Sequence, residues 1–260
     1  MNARDIQKYG DELFEAMRSR TTVVPLTARE PSITISDAYH ISKHTWLRRE
    51  VLGERLIGKK IGVTSLAVQS ALGVFQPDFG YLSDTMLCDW SAVPIGSRLI
   101  QPRAEGEIAF RLGKTLKGPG ITEADVLSAT AYVTPCFEIV DSRIHDWQIK
   151  ICDTIADNAS SGLFVLGEAK ADPRAVDFVN CKMRVEKNGR PLSEGVGAAA
   201  LGSPVKCVAW LANTLGELGV ELVAGEIILS GSLVPLEAVR PGDKMSLTID
   251  GVGDCSISFC

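Results

Sequence analysis

Glu105-Gly106-Glu107-Ile108-Ala109-Phe110-Arg111-Leu112 is the stretch on which the fold turns. Its apolar run from Gly106 to Leu112 reads as a strand, and side chains two apart on a strand share a face. Glu105 and Glu107 therefore project together, with Gly106 leaving the opposite face open. Upstream and downstream the pattern repeats as short apolar runs punctuated by glycine. Further strands are expected at Leu56–Val63, Arg98–Ile100, Ala131–Val140, Gly162–Leu166, Lys182–Lys187, Glu226–Ser230 and Lys244–Ile249, with turns at Pro241-Gly242-Asp243 and Asp250-Gly251.

The first 56 residues read differently. Ile6–Ser19 and Asp37–Val51 predict helices, the second with Ser36 as N-cap, joined by a loop containing Pro25 and Pro31. Later helices are expected after Thr122, where acids follow a cap, and after Ser203-Pro204, whose apolar face ends near Gly219. The expected class is α+β: a helical N-terminal region, residues 1–56, and a β-rich mixed-sheet catalytic domain, residues 57–260.

Composition narrows the function. A net charge of -5 with interspersed signs offers no basic stripe for nucleic acid. The acidic N-terminal segment lacks the apolar core of a secretory signal, and no apolar run reaches the ~20 residues of a membrane span. The seven cysteines are isolated and odd in number, as expected of reduced cytoplasmic thiols in core packing. No Gly-x-Ser-x-Gly elbow suggests a serine hydrolase, and Gly195-Val196-Gly197 lacks the Gly-Lys-Ser/Thr of a phosphate loop. That glycine segment reads instead as small residues packed closely against a neighbour.

The carboxylates carry the chemistry. A lone Glu-x-Glu also reads as a solvated strand face, and Glu138 could face outward on a half-exposed strand. Yet Glu138 stands among Val133, Phe137, Ile139 and Val140, where an ionised carboxylate is costly unless paired or metal-bound. Three carboxylates without a nearby cysteine or histidine suit a hard cation, Mg²⁺ or Mn²⁺, and disfavour zinc. His40, His44 and His145 form no ligand pattern and read as helix surface.

Several motifs together resemble the hydratase/decarboxylase family of the fumarylacetoacetate hydrolase superfamily, in particular its 2-hydroxypenta-2,4-dienoate hydratases. They are Gly58-Lys59-Lys60-Ile61-Gly62-Val63-Thr64-Ser65, Gln76-Pro77-Asp78-Phe79-Gly80, Ala104-Glu105-Gly106-Glu107, Glu138-Ile139-Val140-Asp141-Ser142-Arg143 and Asp153 to Ser160. The resemblance covers nearly the whole chain, and its specificity lies in the order and spacing of the motifs. It implies a fumarylacetoacetate-hydrolase-type fold, a homo-oligomer, a small 2-hydroxy-dienoate substrate, and metal held by Glu105, Glu107 and Glu138. By the same resemblance Lys60 contacts substrate or moves a proton, Asp78 carries a proton, and Asn158 and Ser160 orient water or carboxylate. Each has a plainer reading: a strand-edge lysine such as Lys59 for Lys60, and turn residues for Asp78 and Asn158. The 4-oxalocrotonate decarboxylases share the carboxylates and lysine but typically lack the aspartate equivalent to Asp78. A decarboxylase, or a non-catalytic partner in complex with one, is thus the alternative.

Overall fold

Gly106 shows how the layers meet. In the computed structural model, which describes residues 1–260 apart from the side chain of Ala71, a Cβ on Gly106 would lie 2.5 Å from Met183 Sδ and 3.0 Å from Leu247 Cδ2. The face expected to be open is the one against which a second sheet packs. Glycine fits there because the Met183 and Leu247 side chains of that second sheet occupy the space a Cβ would take.

The strands are β1 (Leu56–Gly62), β2 (Asp78–Ser83), β3 (Arg103–Leu112), β4 (Thr130–Val140), β5 (Leu163–Leu166), β6 (Lys182–Lys187), β7 (Arg190–Val196), β8 (Ile227–Leu229), β9 (Glu237–Ala238), β10 (Lys244–Ile249) and β11 (Gly253–Ser258). A seven-stranded mixed sheet runs β2-β1-β8-β3-β4-β5, with β9 beside β3; only the β1–β8 pairing is parallel. The second sheet, β11-β10-β6-β7, is antiparallel and sends Met183, Val185, Met245, Leu247 and Ile257 into the shared core.

Helices α1 (Ala3–Ser19), α2 (Leu26–Arg29), α3 (Ile35–Val51), α4 (Leu66–Leu72), α5 (Ile95–Arg98), α6 (Glu123–Ala129), α7 (Ile151–Ala156) and α8 (Pro204–Glu217) complete the chain. The cap of α3 is Thr34 rather than Ser36. Thr34 Oγ1 accepts from Asp37 N at 3.1 Å while Asp37 Oδ2 accepts from Thr34 N at 3.0 Å, a reciprocal box that starts the helix earlier. Tyr9, Leu13, Ile41, Ile144 and Ile155 form one apolar cluster, so α1 and α3 share their core with the segment carrying α7. The expected boundary after residue 56 falls just inside the start of β1; we propose the helices before it as a layer docked on the catalytic sheet. Among the described residues, no helix is long and apolar enough to cross a membrane.

Two expectations fail for tertiary reasons. Arg98–Ile100 is no strand, since α5 occupies Ile95–Arg98 and the amides of Ile100 and Gln101 donate to the Asp141 carboxylate. Lys59 is not a surface residue. It is 2% exposed, and its Nζ donates to both carboxylate oxygens of Glu226 at 2.7 and 2.8 Å. Strand alternation does send Lys59 and Lys60 to opposite faces of β1, but both faces of this central strand are covered.

Candidate active site

Register assembles the carboxylates. β3 and β4 pair antiparallel with Glu105 opposite Glu138 and Glu107 opposite Cys136, so all three glutamates stand on one face. One oxygen from each lies within 4.8 Å of the others. Glu107 and Glu138 are buried and Glu105 is half-buried.

Glu107 Oε2 accepts from Gly231 N at 2.8 Å, but its Oε1 has no partner among the described residues, nor has either oxygen of Glu138 a directed hydrogen bond. A buried acceptor without a partner costs about 1–3 kcal/mol, more when charged. Lys60 Nζ, 3.2 Å from Glu138 Oε1, is one cation against the three glutamates and Asp78. Burial pushes the Glu105 carboxyl up to about 7, with the Glu138 charge adding to it. Glu107 is raised well above the carboxylate range by burial and by both other glutamates, and Glu138 is raised by burial against the opposing pull of Lys60. All-oxygen donors, converging geometry and unpartnered lone pairs fit a divalent hard cation held by Glu105, Glu107 and Glu138. Binding must displace protons from the raised carboxyls. Affinity for Mg²⁺ is therefore expected to fall as pH drops from 8 to 6, by up to about tenfold per unit for each proton displaced. Calorimetry in two buffers of different ionisation enthalpy counts those protons.

Lys60 and Asp78 reach the same place from β1 and β2. Burial pulls the Lys60 ammonium down, but Glu138, Glu105, Asp78 and Glu107 together outweigh it and hold the group above its ordinary value. It stays a cation. Asp78 is 1% exposed, neither of its oxygens has a directed hydrogen bond among the described residues, and burial raises its pKa against the pull of Lys60. Gly62, opposite Asp78 in the ladder, makes the room: a Cβ there would collide with Asp78 Oδ1.

Lys60, Asp78 and Glu105 line a cavity of about 460 Å³. Thr154 and Ser160 line it too, their hydroxyls 3.3 Å apart, and Ser232 stands beside Glu105. Thr154, Ser232 and the Gly231 amide were not singled out from sequence. Thr154 and Ser232 are small hydroxyl residues, and only their place in the fold distinguishes them.

Asn158 is placed differently from Ser160. Its Oδ1 accepts from Tyr81 N at 2.7 Å and its Nδ2 donates to Tyr81 O at 3.0 Å, so the amide clamps β2 instead of lining the large cavity. Asn158, Ala159 and Ser160 all have left-handed backbones, with φ of 55°, 50° and 53°. Such conformations cost on the order of 1–3 kcal/mol each in non-glycine residues and persist only where the surroundings enforce them. Arg143 does so. Its Nε donates to Asp157 Oδ1 at 2.5 Å, Nη1 to the carbonyls of Asp141 and Ser161, and Nη2 to the Asp157 carbonyl at 2.6 Å. Burial pushes the Asp157 carboxyl up to about 6 even with Arg143 beside it. Arg143→Ala is expected to lower the unfolding free energy by about 3–5 kcal/mol, because it leaves a buried carboxylate unpaired; urea unfolding reads the loss.

A family model described as fumarylacetoacetate (FAA) hydrolase C-terminal matches residues 75–259. The chain is 65% identical over 216 residues to a 2-hydroxypent-2,4-dienoate hydratase of Pseudomonas putida, covering 83% of this chain and 97% of that one. It is 56% identical over 256 residues to a 2-hydroxyhexa-2,4-dienoate hydratase of Comamonas testosteroni, covering 98% and 97%. Among solved structures, 4-oxalocrotonate decarboxylase from Pseudomonas putida G7, complexed with magnesium and adipate, superposes with a TM-score of 0.96 at 33% identity, covering 100% of this chain and 99% of that one.

Proposed function

The chain belongs to the fumarylacetoacetate hydrolase family, and from that premise we propose that it is a divalent-metal-dependent hydratase converting 2-hydroxypenta-2,4-dienoate to 4-hydroxy-2-oxopentanoate. The observation that carries this reading is the convergence of three glutamates beside a cavity that Glu105, the charged Lys60 and Asp78 line, with neither Asp78 oxygen in a directed hydrogen bond. The hydratase relatives are also considerably more similar in sequence than the decarboxylase.

The chemistry has a carbon that must gain a proton and an oxygen that must bear negative charge. The enol gives up its hydroxyl proton and is protonated at C5, which leaves an enone conjugated to the C2 carbonyl. Water then adds its oxygen to C4, and C3 takes up a proton. Glu105, Glu107 and Glu138 would hold Mg²⁺ or Mn²⁺, which would supply Lewis-acid stabilisation of the developing negative charge. Lys60, cationic throughout, offsets the charge of Glu138 and attracts the substrate carboxylate. Asp78, whose carboxyl burial pushes upward against the pull of Lys60, delivers the proton to carbon. Ser160 and Thr154 orient the carboxyl or the incoming water, while Asn158 positions β2 and acts on the reaction only through Asp78.

The test is turnover of freshly prepared 2-hydroxypenta-2,4-dienoate, followed by loss of its ultraviolet absorbance after chelation and again with Mg²⁺ or Mn²⁺ restored. Metal-restored formation of 4-hydroxy-2-oxopentanoate is expected. Absence of turnover with either ion, together with carbon dioxide release from 4-oxalocrotonate, would replace the hydratase with a decarboxylase. A homo-oligomer, and a complex with such a decarboxylase, belong to the same proposal; light scattering of the protein alone and mixed reads both.

A further inference from the structure

The cavity is polarised by depth. Its strand-borne floor carries Lys60, Asp78 and Glu105, and among the described residues these are the only charged side chains that line it. Its rim comes from other pieces of chain: Val68 and Leu72 on α4, Trp147 and Ile149 before α7, and Leu236 after β8. Val68 is 43% and Leu236 40% exposed, against 3% for Lys60 and 1% for Asp78, which sets the apolar residues at the mouth and the charged ones at the bottom. The Trp147 indole N–H donates to the Gln101 carbonyl at 3.1 Å, so the ring shows the cavity no free donor.

We infer that Val68, Leu72 and Leu236 determine substrate specificity: they receive the tail of a 2-oxo acid whose carboxylate end lies on the floor, favouring an alkyl extension and disfavouring a second carboxylate. The inference rests on the proposed placement of the 2-oxo acid end against the glutamates. A tail pointing outward from the floor meets hydrocarbon, and each added methylene it buries there strengthens binding by up to about fourfold. A terminal carboxylate in the same position would lose part of its hydration with no cation to replace it. The volume allows the extension. About 460 Å³ falls in the range of sites for ligands considerably larger than a five-carbon acid.

Binding of saturated 2-oxo acids tests this without turnover. Calorimetry in Mg²⁺ would compare 2-oxopentanoate, 2-oxohexanoate and 2-oxoadipate on the full chain and on the variants Leu236→Arg and Val68→Arg. Both replaced residues are substantially exposed, so the fold should tolerate them. The unaltered protein is expected to bind 2-oxohexanoate at least as tightly as 2-oxopentanoate, and 2-oxoadipate at least tenfold more weakly. Either arginine should move the diacid-to-monoacid ratio at least tenfold toward the diacid. Equal binding of 2-oxohexanoate and 2-oxoadipate by the unaltered protein would overturn the inference, as would a ratio that neither variant moves. If the expected ordering held while no dienoate was hydrated, the hydratase reading alone would fall.

Discussion

Glu107→Ala is expected to lower kcat/KM for the dienoate by at least three orders of magnitude and to weaken Mg²⁺ binding to near the limit of calorimetric detection. Glu107 is one of three convergent carboxylates proposed as metal ligands, and its loss opens the site on the side where the Gly231 amide now anchors the carboxylate. The fold should survive. Substitution removes a buried carboxyl that has one unpartnered oxygen and whose ionisation its neighbours oppose, so thermal unfolding of the metal-free variant should occur at or above the temperature of the unaltered metal-free protein. The two readouts separate ligation from scaffolding. Full metal dependence retained in Glu107→Ala would show that the ion sits elsewhere.

Asp78→Asn should reduce kcat by about 10²–10⁴-fold, the range for loss of a general acid or base. Metal affinity should change little, since Asp78 is not one of the three convergent ligands. The amide is nearly isosteric with the acid and keeps the room that Gly62 leaves, so packing is preserved while the transferable proton is lost. Rapid-quench measurement in D₂O gives a sharper form of the test. Deuterium incorporation at C5 should slow in the variant as much as overall hydration does. Unaltered C5 deuteration with slowed hydration would assign Asp78 to water activation instead.

How much of this was legible in the sequence depends on the distance over which each cause acts. The shared face of Glu105 and Glu107 follows from the two-residue period of a strand, which is local. The caps of α6 and the proline start of α8 are local as well, and both helices begin where their signals stand. Glu138 is a different case. Composition marks it as a costly carboxylate, but only the β3–β4 register sets it opposite Glu105. Lys59 and Ile100 are governed wholly by partners far along the chain, Glu226 and Asp141, to which no short window points. The family resemblance implies one role for Asn158 and Ser160. The left-handed turn between them sends the two side chains to different tasks, and backbone handedness in non-glycine residues leaves no compositional trace. β2, β7 and β11 lie outside the expected strands because their apolar patterns are short and interrupted by polar residues.

The contact behind Gly106 bears on what happens when the ion leaves. Glu105 and Glu107 flank a residue pressed against Met183 and Leu247, so the strand that carries them has no slack behind it. Many cation sites relieve their repulsion on emptying by letting ligand loops swing apart. Here the ligands hang from paired strands backed by a second sheet, and that route is closed. The relief has to be chemical: the emptied seat takes up hydrogen ions instead of expanding. Demetallation should then leave the backbone around residues 103–112 and 130–140 as slow to exchange its amides as before, while the solution grows measurably more alkaline by the protons the protein has absorbed.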